Sequence, residues 1–114
     1  MGDEKARVAV INLKEKAAEI GQLWAPMEVA RANDQVIRLA RIQGEYHWHK
    51  HTNEDELFYV LEGSIVLQLE NQTDVVLGEG EMAVVPKAVE HCPKSEGVSC
   101  ILMFEPSSLE SRGD

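Results

Sequence analysis

What the chain lacks narrows it before any motif is read. No apolar run approaches the roughly 20 residues a helix needs to cross a bilayer. The opening, MGDEKARVAV, has neither the hydrophobic stretch of a signal peptide nor the Arg/Ser bias of a transit peptide. It fits only the start of a myristoylation pattern, because Ala6 stands where Ser or Thr is preferred. The expected location is therefore the cytoplasm, with no membrane partner. Cations are scarce as well: 11 Lys and Arg face 20 Asp and Glu, a formal net charge of −9. Without a cationic face to replace the counterions of phosphates, no nucleic-acid partner is expected. Two cysteines, Cys92 and Cys100, are too few for a disulfide framework and read as buried free thiols. There is no internal repeat and no low-complexity segment.

What remains is 114 residues, 44% apolar and 27% charged, the composition of one soluble globular domain over 1–114. Residues 1–6 and 107–114 (SSLESRGD) read as flexible ends. In NLKEKAAEIGQLW, Leu13, Ala17, Ile20 and Trp24 fall at helical spacing, and Asn12 with Glu15 forms a loose capping box, so one short amphipathic helix is expected. After Pro26 the apolar period changes to two. MEVARA and QVIRLARI flank the turn formers Asn33-Asp34, LFYVLEG and SIVLQLE meet at Glu62-Gly63-Ser64, and VVL, EMAVVP and VSCILMFEP follow. About eight short strands at turn spacings of eight to twelve residues predict an all-β antiparallel sandwich or barrel.

The chemistry concentrates in GEYHWHKHTNEDELFYVLEG, where His47, His49 and His51 fall on alternate residues ahead of Glu54, Asp55 and Glu56. Alternate residues of a strand face the same side, so such imidazoles aim their nitrogens at one point. A turn at Thr52-Asn53 can return a carboxylate to that point from the next strand. The fourth histidine, His91, lies in GEGEMAVVPKAVEHCP, five residues past Pro86, and a proline bend can deliver it from a distant part of the chain. Three imidazoles and a carboxylate form a mixed N/O donor set suited to a first-row divalent metal, namely Mn, Fe, Co, Ni or Zn; no thiolate in the set specifies zinc.

Together the two stretches resemble the cupin family. Its first motif, G-x5-H-x-H-x3–4-E-x6-G, is matched by His49-Lys50-His51, four residues, Glu56, six residues and Gly63. Its second, G-x5-P-x-G-x2-H-x3-N, is matched by Gly80, Pro86 and His91 at the same intervals. The resemblance covers residues 44 to 95 and implies a double-stranded β-helix, or jelly-roll, barrel with the short helix ahead of it. It also implies that His49, His51, Glu56 and His91 are the metal ligands. Gly44 stands one residue too close to His49. Ala88 replaces the glycine after the proline, where a positive φ would strain an alanine, so a different turn is expected. Ser95 replaces the asparagine. The overlapping set His47, His49 and Glu54 also fits H-x-H-x4-E but leaves eight residues before Gly63, so the later register is preferred. In that register His47 stands at the pocket mouth. Phe58 and Val60 share the parity of Glu56 and should line the interior with it, joined by Met82 and Val84.

Such a ligand set leaves two positions of a six-coordinate ion open for Lewis-acid polarisation or for joint binding of O2 and a chelating substrate. Ser95 and Ser99 have no spare histidine, so no catalytic side chain is assigned and the chemistry falls to the metal. The reading is a metal-binding cupin acting as a metal-dependent enzyme on a small polar metabolite. A non-catalytic small-molecule or sugar-binding module, a sugar isomerase or epimerase, and a dioxygenase are its alternatives. The wording is similar to chains labelled mannose-6-phosphate-isomerase-like, yet only Lys50, Lys87 and Lys94 stand near the motifs and no arginine clamp for phosphate does. The apolar surplus of MEVARA and QVIRLARI predicts a homodimer.

Overall fold

The computed structural model describes residues 7–114, so the expectation for 1–6 lies outside the described residues. The elements are α1 (Leu13–Ala18), β1 (Met27–Ala32), β2 (Gln35–Glu45), β3 (Glu56–Glu62), β4 (Ser64–Leu69), β5 (Val75–Gly78), β6 (Met82–Val85) and β7 (His91–Pro106). No helix among the described residues is long and apolar enough to cross a membrane.

The predicted N-cap is in place: the Asn12 side chain accepts the Glu15 N–H at 3.0 Å, satisfying one of the amides a helix start leaves bare. The helix is shorter than its apolar spacing predicted. It ends at Ala18, with Glu19 as C-cap, and Trp24 lies beyond it at φ 59°. There the Trp24 N–H donates to the Arg41 carbonyl at 2.9 Å and Leu23 bridges to Arg41, so the chain runs beside β2 instead of continuing to coil.

Every strand pairing is antiparallel, in the order β1-β2-β7-β3-β6, with β4 joining β5 to β7. The final strand makes this a barrel and not two separate sheets. Where the sequence pattern predicted separate segments, the structure has one strand of 16 residues. Its first part, His91 to Lys94, pairs with Leu69 to Val66 of β4, and the remainder pairs with β2 and β3. The result is the jelly-roll barrel, all-β apart from α1.

Alternation places the core. Phe58 and Val60 of β3, Ile65 and Leu67 of β4, Ala40 and Ile42 of β2, and Ile101 and Met103 of β7 all point inward and are buried. Each large apolar side chain removed from water contributes about 1.5–3 kcal/mol. On the opposite face, Leu39 and Cys100 are buried beneath Leu13 and Ala17 of α1 and Ile20 just beyond it. The helix therefore covers part of the apolar surplus that β1 and β2 carry. Cys92 and Cys100 are free and buried, as expected. Gly63 ends β3 at φ 90°, and a Cβ there would meet the Ser99 Cβ at 2.9 Å, so both backbone and space demand glycine.

One expectation is corrected. Ala88 does adopt the left-handed conformation, at φ 70°, in place of the different turn expected. Its N–H donates to the His51 carbonyl at 2.8 Å, which holds the strained residue where the glycine would stand. Residues 107–114, expected to be a flexible end, make specific contacts: Leu109 is buried, Arg38 Nη1 donates to the Leu109 carbonyl at 3.3 Å, and the Thr52 N–H donates to the Asp114 carboxylate at 2.9 Å.

Candidate metal centre

Three separate segments converge at one end of the barrel. His49 and His51 lie on the connection between β2 and β3, Glu56 is the first residue of β3, and His91 is the first residue of β7. One potential ligand atom from each of the four lies within 4.8 Å of every other. All four side chains are buried. His51 Nε2 stands 3.2 Å from Glu56 Oε1, and His91 Nε2 stands 3.5 Å from the same oxygen.

The imidazoles are oriented by the backbone. His49 Nδ1 lies 2.9 Å from the His47 carbonyl and His91 Nδ1 lies 2.9 Å from the Val89 carbonyl. A carbonyl oxygen only accepts, so both Nδ1 atoms carry the proton and both Nε2 atoms present a bare lone pair to the interior. Second interactions of this kind are what fix the tautomer of a metal-bound histidine. Among the described residues, His51 Nε2, Glu56 Oε1 and His91 Nε2 are buried side-chain atoms with no hydrogen-bond partner of acceptable geometry. Polar atoms crowded together away from water without partners are costly unless an ion lies among them. The donor set therefore fits a divalent metal ion.

Titration follows the same geometry. Burial pulls the His49 imidazole down to about 4, favouring the neutral form that a metal requires. Burial alone would raise Glu56, but hydrogen bonds and charge from the His51 and His91 rings, when those rings are protonated, outweigh it and hold the carboxyl down at about 2; a cation among the four groups acts in the same direction.

A second carboxylate belongs to this end of the barrel and was missed in the sequence. Glu105 follows Ile101 and Met103 in inward parity, which was the available signal. It is 1% exposed, with Oε2 at 3.3 Å from Arg38 Nη1 and Oε1 unpartnered. Burial pushes its carboxyl up to about 8, the Glu56 charge pushes the same way, and Arg38 opposes both.

Beside the cluster lies a cavity of about 40 Å3 whose walls include Trp24, Ile42, Tyr46, Phe58, Ile101 and Met103, with His49 and Glu56 at its polar end. Trp24 and Tyr46 are stacked, with centroids 4.7 Å apart and planes 18° apart. Trp24 was assigned to the helix stripe; only its unusual backbone brings it here. Of the pocket candidates, Phe58 lines the cavity and Val60 is fully buried in the core. Met82 and Val84 do not line it: they are 62% and 52% exposed, because β6 pairs with β3 in a register that turns Ala83 and Val85 inward. His47 contributes no atom to the cluster. Its Nε2 lies 3.0 Å from the Arg112 carbonyl, and its ring is tilted against Tyr46 at 3.9 Å. Glu54 is half-buried and accepts from Ser108 Oγ at 3.4 Å, away from the imidazoles. Ser95 Oγ lies 2.7 Å from Ser99 Oγ and 3.2 Å from the Ser64 carbonyl, bracing the barrel.

Residues 38–104 match the family model described as "Cupin domain". Over 100 residues the chain is 36% identical to the uncharacterized protein YdbB of Bacillus subtilis, covering 88% of each. A crystal structure of a cupin-2 domain containing protein from Shewanella frigidimarina superposes with a TM-score of 0.82 at 38% identity, covering 85% of this chain and 94% of that one. A shorter stretch of 64 residues is 34% identical to 3-hydroxyanthranilate 3,4-dioxygenase 2 of Aspergillus fumigatus, covering 54% of this chain and 34% of that enzyme.

Proposed function

Since the chain belongs to the cupin family, we propose that His49, His51, Glu56 and His91 hold one first-row divalent metal ion and that the protein is a metal-dependent enzyme of the dioxygenase type acting on a small polar molecule. The observation that carries this reading is the convergence of His51 Nε2, His91 Nε2 and Glu56 Oε1, buried together without hydrogen bonds. The named dioxygenase among the relatives supports the reaction class. When bound, such an ion supplies Lewis acidity and, where redox-active, a site for oxygen chemistry.

The chain's own residues do the rest. His47 and Val89 carbonyls keep His49 and His91 in the metal-binding tautomer. Glu105, buried beside Glu56 and paired with Arg38, is pushed towards its neutral form in the metal-free protein. Phe58, Ile101 and Met103 give the cavity apolar walls that limit bulk water beside the site. The expected ligand is a small molecule with oxygen donors to fill the open positions. Protein reconstituted with iron(II) and exposed to nitric oxide, a stand-in for O2, tests this by paramagnetic resonance. A nitrosyl signal altered by an oxygen-donor chelator supports it. No signal at full iron occupancy overturns oxygen chemistry and leaves an isomerase or a binding module.

The pairing of two copies is part of the same proposal. The free edge of β1 and the exposed Met82, Val84 and Phe104 are surfaces a second copy would protect.

A further inference from the structure

The segment after β7 turns back across the barrel end and lies on the β2–β3 connection that carries two of the four ligand residues. Arg112 meets His47 through its carbonyl at 3.0 Å, the Asp114 N–H donates to the Lys50 carbonyl at 3.1 Å, and the Asp114 carboxylate accepts from the Thr52 N–H at 2.9 Å. Gly113 lies between these bonds at φ 93°, where an added Cβ would stand 2.8 Å from the His49 Cβ and 2.9 Å from the Lys50 carbonyl oxygen. Ser111 forms part of the cavity wall.

The two ends of this segment are held differently. Leu109 is 3% exposed and bonded to Arg38, an apolar anchor. Beyond it Glu110, Arg112 and Asp114 are exposed and the hold is mainly hydrogen bonds. Segments held mainly by exposed hydrogen bonds open at low free energy, whereas those with a buried apolar residue stay down. The room beneath is also small. The cavity of about 40 Å3 compares with the roughly 150 Å3 of an apolar cavity that takes up benzene. A ring-sized ligand needs more room than these walls enclose.

We propose that Glu110–Asp114 form a strap over the metal centre that lifts, hinged on the buried Leu109, to admit a ligand, and that Gly113 is the residue whose missing side chain lets it close onto His49. The proposal rests on the metal-binding reading for its site, but the strap itself is testable without metal.

Gly113→Ala props the strap open by setting a methyl against the His49 Cβ and the Lys50 carbonyl, with no change to a coordinating nitrogen, and His47→Ala removes one of its bonds. With each protein first loaded and its metal content measured, the rate of metal loss to excess chelator reads access to the centre. Both variants should bind the same metal per chain as the parent and lose it at least about fivefold faster, the factor that one lost hydrogen bond represents. In metal-free protein, trypsin cleavage after Arg112, followed by mass, should accelerate in both variants by a similar factor. Equal metal-loss rates and equal cleavage rates in parent and variants overturn the strap. If none of the proteins binds metal, the metal-binding reading fails, while the cleavage rates still decide whether the strap exists.

Discussion

His49 and His91, 42 positions apart in the chain, exchange both backbone hydrogen bonds: His49 N–H to the His91 carbonyl at 3.0 Å and the reverse at 2.8 Å. This isolated antiparallel bridge joins the two motifs and sets the imidazole centroids 4.3 Å apart. The site is thus built by main-chain pairing, and the side chains need only complete it.

Because that pairing survives side-chain loss, ligand substitutions should remove metal without unfolding the barrel. His51→Ala, Glu56→Gln and His91→Ala are each expected to lower metal content at least tenfold under limiting metal. Glu54→Gln is expected to leave it unchanged, since Glu54 is directed to Ser108. Elemental analysis of the purified proteins checks this. Retention of metal by His51→Ala together with its loss from Glu54→Gln would mean that the ligand register is the earlier one.

Ala88 at φ 70° is the clearest local strain in the fold near the site. A left-handed conformation costs a non-glycine residue about 1–2 kcal/mol, partly offset here by the more restricted unfolded chain of alanine. Ala88→Gly should therefore stabilise the protein by about 0.5–1 kcal/mol, raising the melting temperature by several degrees in a domain of this size. A lower melting temperature in the variant would show that the Ala88 side chain contributes more than its backbone costs.

The motif residues were legible because ligand spacing survives in sequence: His49, His51, Glu56 and His91 are the four that meet, and strand parity placed Phe58 and Val60 inward. What escaped was set by long-range pairing or by backbone outliers. Trp24 reaches the cavity through one unusual φ and a bond to Arg41, against its helical spacing. Met82 and Val84 follow an apolar pattern, but the register Leu57↔Val84 and Tyr59↔Met82 turns them outward. Glu105 was given no role, although it shares the parity of Ile101 and Met103 that carries it inward beside Glu56, and the polar SSLESRGD gave no sign that Leu109 would be buried.

In the metal-free protein His49 makes stability depend on pH. Its imidazole is pulled to about 4 by burial, while the unfolded chain protonates near 6.5. Between these values the unfolded state holds more protons, so stability falls as the pH drops from about 6.5 towards 4, by at most about 1.4 kcal/mol per unit for one proton. Saturating metal should shift the fall to lower pH, because bound imidazoles resist protonation. Urea melts with and without metal test this, and coincident profiles would count against metal binding by His49.

A second copy should be present in solution. The mass by light scattering is expected at about twice 12.7 kDa at micromolar concentration. Val84→Lys and Phe104→Lys, both on exposed strand positions, should shift it towards the single chain without loss of metal. A monomer mass across a wide concentration range overturns the dimer.

Glu105 gives the opposite pH sign from His49 and a window of its own. Burial and the Glu56 charge raise it to about 8, against an ordinary carboxyl value of 4.5. The folded state therefore holds a proton that the unfolded state has released, and stability falls as the pH rises through about 8. His49 opposes this only below 6.5, so from 6.5 to 8 the slope of the metal-free protein should reflect Glu105. Glu105→Gln keeps the shape and a partner for Arg38 but removes the titration. The variant should show a flatter profile over that window and gain stability relative to the parent as the pH rises, by no more than about 1.4 kcal/mol per unit. Binding a cation at Glu56 would reduce the charge that pushes Glu105 up, so metal should shrink the difference between the two proteins. Parallel profiles for parent and variant in the absence of metal would mean that Glu105 is already ionised against Arg38.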